Sequence, residues 1–226
     1  MDNPAPNSEL LRSLGRLTRG LSALFWSLPL ALVVCAEAAR VDWLRPWGLI
    51  PVLAATALPL YGLWLMGGFQ KQERPWRNAL DRALLPALAN FGLSPFLYWH
   101  NKMPAQPYFT IAAVVLALSA LLFLFNLNVV IKQLGAMLPD ETLRHETRQF
   151  TALNCWLLAI LLFLALAYIV MVRDARLPAA LGALFLRLQD YGPWLLTFLA
   201  LLPLAMTMAL IWKTKEVIFD SVFSAK

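Results

Sequence analysis

Long apolar segments separated by short polar stretches make up most of this chain. A helix needs roughly 20 residues to cross about 30 Å of hydrocarbon. Five of the segments meet that length, and they cover residues 21–39, 47–69, 108–131, 150–172 and 194–212. The strict apolar and polar alternation of membrane-barrel strands is absent from these segments. An open chain in lipid satisfies its backbone N–H and C=O groups only as helices. The pattern therefore predicts an all-α, polytopic transmembrane helix bundle.

A sixth apolar segment, Ala83–Trp99, is short and contains Pro86, Gly92 and Pro95. These residues kink or interrupt a helix. The segment therefore fits a kinked span, a re-entrant element or a helix lying in the membrane interface, and the last two forms leave five spans. Lys and Arg concentrate on the cytoplasmic side of membrane proteins. This asymmetry is sharper when Ala83–Trp99 crosses, so we predict six spans with both termini in the cytoplasm.

Six spans divide the chain into three parts. Residues 1–20 form a basic N-terminal tail, residues 21–212 a single transmembrane domain and residues 213–226 a C-terminal tail, with both tails cytoplasmic. Between the last two spans, residues 176–191 place four leucines and a phenylalanine on one helical stripe. This pattern predicts an amphipathic helix on the outer membrane surface.

A second polar helix is predicted on the cytoplasmic side. Asp140 is a candidate N-cap, and Glu141 suits the positive end of a helix dipole. Arg144 and Arg148 follow one turn apart and share a face. We expect this cytoplasmic helix to continue without a break into the span that begins at Phe150.

The first span also has features of a secretory signal peptide. Arg12, Arg16 and Arg19 precede an apolar run, and Ala36–Ala38 has the small residues of a cleavage site. The basic leader is long, however, and the apolar run continues to about Ala39. These features favour an uncleaved first span.

Tryptophan and tyrosine prefer the two membrane interfaces. Tyr61 and Trp64 lie deeper in the second span, and we expect them to pack inside the bundle. The topology places ten other Trp and Tyr residues near span ends, with Trp43, Trp47, Tyr98, Trp99, Tyr108 and Trp194 outside and Trp26, Trp76, Trp156 and Trp212 inside.

Composition supports the membrane class. The chain is 60% hydrophobic and 14% charged, whereas soluble domains are about 45–50% apolar and about 25% charged. The net charge of +6 does not indicate nucleic-acid binding, because the basic residues lie in short tracts between apolar runs and form no basic face with interleaved aromatics. The predicted partner is the lipid bilayer. Short connections favour a prokaryotic inner membrane.

Uncharged amides are the most informative polar groups within the spans. Asn126 and Asn128 lie near the inner end of one span, and Asn154 lies near the inner start of the next. Interhelical amide contacts stabilise the packing of membrane helices. The alternative is a small polar pocket facing the cytoplasm, to which Asn90, beside Gly92, would contribute.

Groups for catalysis or metal binding are scarce. Glu37, near the outer end of the first span, is expected to pair with Arg40 one turn later. The topology places His100 and His145 on opposite sides of the membrane, and neither has a second ligand at helical spacing. We therefore predict no catalytic site, metal or cofactor.

No specific biochemical activity follows from these residues. The leading hypothesis is a scaffold or accessory subunit of a membrane assembly, because buried charge is nearly absent and two amphipathic segments are available to dock partner subunits. They are the outer helix at residues 176–191 and the C-terminal tail, whose apolar residues Val217, Ile218, Phe219, Val222 and Phe223 give it one apolar face. The alternative is a transporter or channel for a neutral or lipid-like substrate that uses the broken Pro86–Pro95 segment. An intramembrane enzyme is a third hypothesis, and it would require Glu37, His100 or His145.

Overall fold

The computed structural model describes residues 8–40, 45–70, 72–103, 105–137, 141–173, 198 and 201–219, and the described part contains helices and no strand. Residues 201–219 are helical and are called α7. A short 3-10 turn covers Arg45–Trp47. The other helices are α1 (Ser8–Arg40), α2 (Ile50–Met66), α3 (Arg74–Leu93), α4 (Pro95–Lys102), α5 (Pro107–Met137) and α6 (Glu141–Arg173).

Among the described residues, three helices are long and apolar enough to cross a membrane: Arg12–Ala39 within α1, Pro107–Met137, and Arg144–Leu166 within α6. The apolar helix α2 is shorter, with 17 residues. α3 has 20 residues but is less apolar, because its first half contains three arginines and an aspartate. The described part is therefore all-helical, with three candidate membrane-spanning helices and one shorter apolar helix.

Several predicted boundaries are refined. α1 begins at Ser8, inside the predicted N-terminal tail, and Leu17 is fully buried. α6 runs from Glu141 to Arg173 without interruption, so the polar helix and the apolar segment after it are one element. The predicted outer helix at residues 176–191 and the candidate N-cap Asp140 lie outside the described residues.

α1 and α2 pack closely around two glycines. A Cβ added at Gly20 would lie 2.7 Å from Cγ of Met66 and 2.8 Å from the carbonyl oxygen of Gly62. A Cβ added at Gly62 would lie 2.8 Å from Cγ of Leu24. These distances are shorter than van der Waals contact, so the absence of a side chain at both positions allows the two backbones to approach.

Neighbouring helices in the bundle alternate in direction. Ser119 on α5 donates to the carbonyl of Pro86 on α3 at 3.2 Å, and the ring of Phe109 on α5 stacks on that of Trp99 on α4 with centroids 6.4 Å apart. The later residue of α3–α4 thus contacts the earlier residue of α5, so α3 and α4 run antiparallel to α5. On α6, Asn154 lies beside α5 residue Asn128. One end of the bundle therefore contains the first turns of α1, α3 and α6 and the last turns of α2, α5 and α7. We call it the basic end.

The predicted break in Ala83–Trp99 occurs at Ser94, between α3 and α4. Pro95 has no N–H, so the carbonyl of Phe91 lacks its usual helical donor. The Ser94 hydroxyl replaces that donor and bonds to the Phe91 carbonyl at 2.9 Å. Thr56 on α2 donates in turn to the Ser94 hydroxyl at 3.1 Å. Ser94 is fully buried and keeps helical backbone angles, so the two helices are joined by a packed turn.

Three expectations for aromatic residues are wrong. Tyr61 and Trp64 are 52% and 73% exposed and stack on each other with centroids 6.2 Å apart. The opposite face of α2, which carries Gly62, is the one that packs on α1. Trp76 is fully buried instead of lying at the interface, and its indole N–H donates to the carbonyl of Phe69 at 3.0 Å.

Candidate functional site

Three polar side chains from three helices meet in the described bundle. Asn128 on α5, Asn154 on α6 and Thr207 on α7 are all fully buried. Nδ2 of Asn154 lies 3.0 Å from Oδ1 of Asn128 and 2.9 Å from Oγ1 of Thr207. Nδ2 of Asn128 also donates to Thr207 Oγ1, at 2.9 Å. We call these three residues the amide cluster.

The amide cluster is joined to the backbone of two helices. Thr207 donates its single hydroxyl proton to the carbonyl of Pro203 at 2.7 Å, which leaves its oxygen free to accept from both amides. The same carbonyl lies 3.2 Å from Nδ2 of Asn154, and Asn128 donates to the carbonyl of Leu124 at 2.8 Å. In lipid, such contacts hold helices in a defined register.

The amide cluster differs from the four residues that the sequence singles out. Asn128 and Asn154 meet, but Asn126 bonds to the carbonyl of Leu122 in its own helix at 2.8 Å. Asn90 is on α3, and its buried Oδ1 has no hydrogen-bond partner in the described structure. Thr207 was not among the candidates, because a threonine in an apolar segment is too common to indicate a contact 79 residues away in sequence.

Three buried oxygens on α6 have no hydrogen-bond partner among the described residues: Thr147 Oγ1, Thr151 Oγ1 and Asn154 Oδ1. They are spaced four and three residues apart, so they follow one face of the helix from the basic end towards the amide cluster. Gly135 on α5 adjoins this face, since a Cβ at Gly135 would lie 3.3 Å from Cγ2 of Thr147. The face is polar and closely packed.

The other candidate residues are dispersed. Glu37 and Arg40 both lie in the last turns of α1, and the side chain of Arg40 is outside the described residues. His100 on α4 lies 3.4 Å from the hydroxyl of Thr110, at the end opposite the basic end. His145 is exposed in the first turns of α6, at the basic end. The candidate acid and histidines are therefore not assembled into one site.

The cytoplasmic-helix candidates Arg144 and Arg148 are exposed on the first turns of α6. Between them in sequence, Glu146 forms an ion pair with Lys213 of α7, which the sequence does not indicate. Within the described ranges, no group of three His, Cys, Asp or Glu residues is placed to hold a metal ion.

These features define a class: an all-helical membrane protein whose best-formed polar site joins three helices. Comparison of the chain with protein-family models, curated proteins and solved structures finds no match to any of them.

Proposed function

We propose that this chain is a six-span integral membrane protein that acts as a non-catalytic scaffold or accessory subunit of a membrane assembly. The observation that carries the proposal is the amide cluster, in which Asn128, Asn154 and Thr207 bond to one another from three helices. Two further interhelical bonds, from Thr56 to Ser94 and from Ser119 to α3, use buried hydroxyls in the same way. These polar groups support helix packing, as a scaffold requires.

The packing of the helices supports six crossings. The bond from Ser119 sets the middle of α3 level with the middle of α5, a candidate span. Residues 83–102, the part of α3 and α4 that follows Arg82, reach about 30 Å at about 1.5 Å per residue. That length matches the roughly 30 Å of hydrocarbon. The alternating direction of α1, α2, α3–α4, α5, α6 and α7 is the order that six successive crossings produce.

The distribution of charge supports cytoplasmic termini. Positively charged residues concentrate on the cytoplasmic side of membrane proteins. At the end opposite the basic end, the described helices place Arg40, Arg45, Lys102 and Arg173. At the basic end they place Arg12, Arg16, Arg19, Arg74, Arg77, Arg82, Lys132, Arg144, Arg148, Lys213 and Lys215. A cell membrane, with the short connections typical of a prokaryotic inner membrane, is the location we propose.

Cysteine labelling tests the topology. Cys35 and Cys155 are free thiols, and a Cys35→Ala/Cys155→Ala background allows single reporter cysteines to be introduced. Gln72→Cys precedes α3 and Gln106→Cys follows α4. A membrane-impermeant maleimide added to intact cells is expected to label Gln106→Cys only, and both after permeabilisation. Labelling of both reporters from one side would leave five spans.

Purification tests the scaffold role. We expect the tagged chain, extracted in a mild detergent, to retain a membrane protein in constant stoichiometry through two columns. Asn154→Leu perturbs the helix arrangement and is expected to retain less of the partner than the matched control Asn126→Leu, whose side chain bonds within its own helix. Recovery of the wild-type chain as a monomer without a stoichiometric partner would overturn the proposal.

A transporter or channel for a neutral or lipid-like substrate is the second candidate. It is favoured by the unpartnered oxygens of Thr147, Thr151 and Asn154, which a polar substrate or water would satisfy. The Pro86–Pro95 segment offers less support. The Phe91 carbonyl, which Pro95 leaves without a helical donor, already accepts a hydrogen bond from the Ser94 hydroxyl. Aqueous reagents are expected to reach Thr147→Cys and Thr151→Cys if this candidate is correct, and protection of both would remove it.

A further inference from the structure

Two adjoining cavities lie between α1, α2 and α3 at the basic end. Their volumes are about 510 and 690 Å³, and they share Arg16, Trp64 and Leu65 as lining residues. Arg12 and Arg19 line one cavity, and Arg77 with Asp81 lines the other. We call the joined space the arginine groove and define it by Arg12, Arg16, Arg19, Arg77, Trp64 and Leu65.

Local packing builds this groove. Arg12, Arg16 and Arg19 are four and three residues apart on α1, so they share one helical face. Opposite them, the chain after α2 contains Gly68, where an added Cβ would lie 3.5 Å from Nη1 of Arg16. The bond from the Trp76 indole to the carbonyl of Phe69 holds this connection against α3.

The charge of the groove is strongly positive. Four guanidinium groups line it, and among the described residues that line it Asp81 is the one carboxylate. No ion pair to a described residue is seen for Arg12, Arg16, Arg19 or Arg77. Arginine presents a planar fork of donors that matches phosphate oxygens, and its charge persists at every physiological pH.

The position of the groove identifies the kind of anion. Trp64 is exposed beside it, and leucines Leu63, Leu65, Leu80 and Leu84 line its inner side. Trp64 lies two residues before the end of α2, which is closer to a helix end than the predicted span implied, and an exposed tryptophan near a helix end is typical of the headgroup level of a bilayer. Basic pockets between membrane helices on the cytoplasmic side bind anionic lipid headgroups. An apolar inner wall accommodates an acyl chain, whereas a soluble phosphate compound has no use for it.

We propose that the arginine groove binds the phosphate headgroup of an anionic phospholipid, with Arg16 at its centre and the leucines against an acyl chain. Arg12, Arg19 and Arg77 contribute further donors from the two sides. The inference goes beyond the scaffold role and rests on the proposed topology, in which the chain lies in a bilayer with its basic end at the cytoplasmic surface. Failure of partner purification would leave it unaffected.

Lipid titration of the purified chain in detergent tests the proposal, with bound lipid counted by native mass spectrometry. Phosphatidylglycerol is expected to bind at least about tenfold more tightly than phosphatidylcholine. Arg16→Gln is expected to weaken phosphatidylglycerol binding about tenfold, the effect of losing one hydrogen bond between charged groups. Gly68→Val keeps every charge but places a side chain against Arg16, and we expect a similar loss.

The matched control is Arg148→Gln, which removes an exposed arginine at the same end but outside the groove. It is expected to leave phosphatidylglycerol binding within about twofold of wild type, since rim charges contribute little individually. Arg12→Gln, at an exposed position, provides a second groove variant if Arg16→Gln fails to fold. Equal binding of the two lipids, or equal losses in Arg148→Gln and the groove variants, would overturn the proposal. Displacement of phosphatidylglycerol by millimolar inorganic phosphate would overturn the lipid assignment in favour of a soluble phosphate ligand.

Discussion

Replacing Asn154 by leucine tests the amide cluster most directly. The Asn154 amide nitrogen has two hydrogens and lies within 3.2 Å of three acceptors, so at most two are fully bonded at once. Hydrogen bonds between membrane helices contribute about 0.6 kcal/mol on average and at most about 1.7 kcal/mol. The substitution also leaves Oδ1 of Asn128 buried without its donor, at a cost of about 1–3 kcal/mol.

We therefore expect Asn154→Leu to lower the free energy of unfolding by about 2–3 kcal/mol. The measurement is reversible unfolding in mixed micelles of increasing SDS content, followed by far-ultraviolet circular dichroism. Asn126→Leu is the matched control, because Asn126 bonds within its own helix. Its effect is expected to stay within about 0.5 kcal/mol.

A double-mutant cycle isolates the contact between the two amides. Asn128→Leu, Asn154→Leu and the double variant are expected to give a coupling energy of about 0.6–1.7 kcal/mol. A coupling near zero, or equal losses for Asn126→Leu and Asn154→Leu, would refute the conclusion that these amides hold α5 and α6 together.

Three further outcomes follow from packing and polar contacts elsewhere. Gly20→Val is expected to destabilise the protein by about 1–3 kcal/mol in the SDS titration, because the new side chain overpacks against α2. In the same titration, the control Gly15→Ala is expected to stabilise the protein by up to about 1 kcal/mol, because its added methyl group meets open space. Trp76→Phe removes the donor to the Phe69 carbonyl and is expected to cost about 1 kcal/mol, measured as a lower thermal midpoint in detergent. Glu146→Gln is expected to change the free energy of unfolding by less than about 1 kcal/mol, because Glu146 and its partner Lys213 are both about half exposed. A larger loss would show that this ion pair is more strongly coupled than its exposure indicates.

Sequence patterns were sufficient to predict the class of protein and two of the three residues of the amide cluster. The helical character of α1, α5 and α6 follows from apolar runs that no soluble core would bury. Asn128 and Asn154 stand out because amides are rare at that depth, and the hairpin between α5 and α6 brings them to a similar level. The break near Pro95 was also visible, since proline removes a helical donor wherever it occurs.

Contacts between distant segments were not visible in the sequence. Thr207 became a partner only because α7 packs against α5 and α6. Tyr61 and Trp64 face outward because Gly62 directs the opposite face of α2 onto α1. A helix in lipid can be apolar on every side, so its composition does not show which face is buried.

Local hydropathy and the positions of the prolines are properties of single segments. They were enough to predict a helical membrane protein and the place where the helix in residues 83–99 is interrupted. The tertiary structure decided which amide finds which partner, where glycine permits close approach, and that Arg16 and Arg77 line one groove. The reason is that lipid solvates every apolar helix face about equally, so the choice of neighbours depends on steric fit and hydrogen bonds between segments that lie far apart in the sequence.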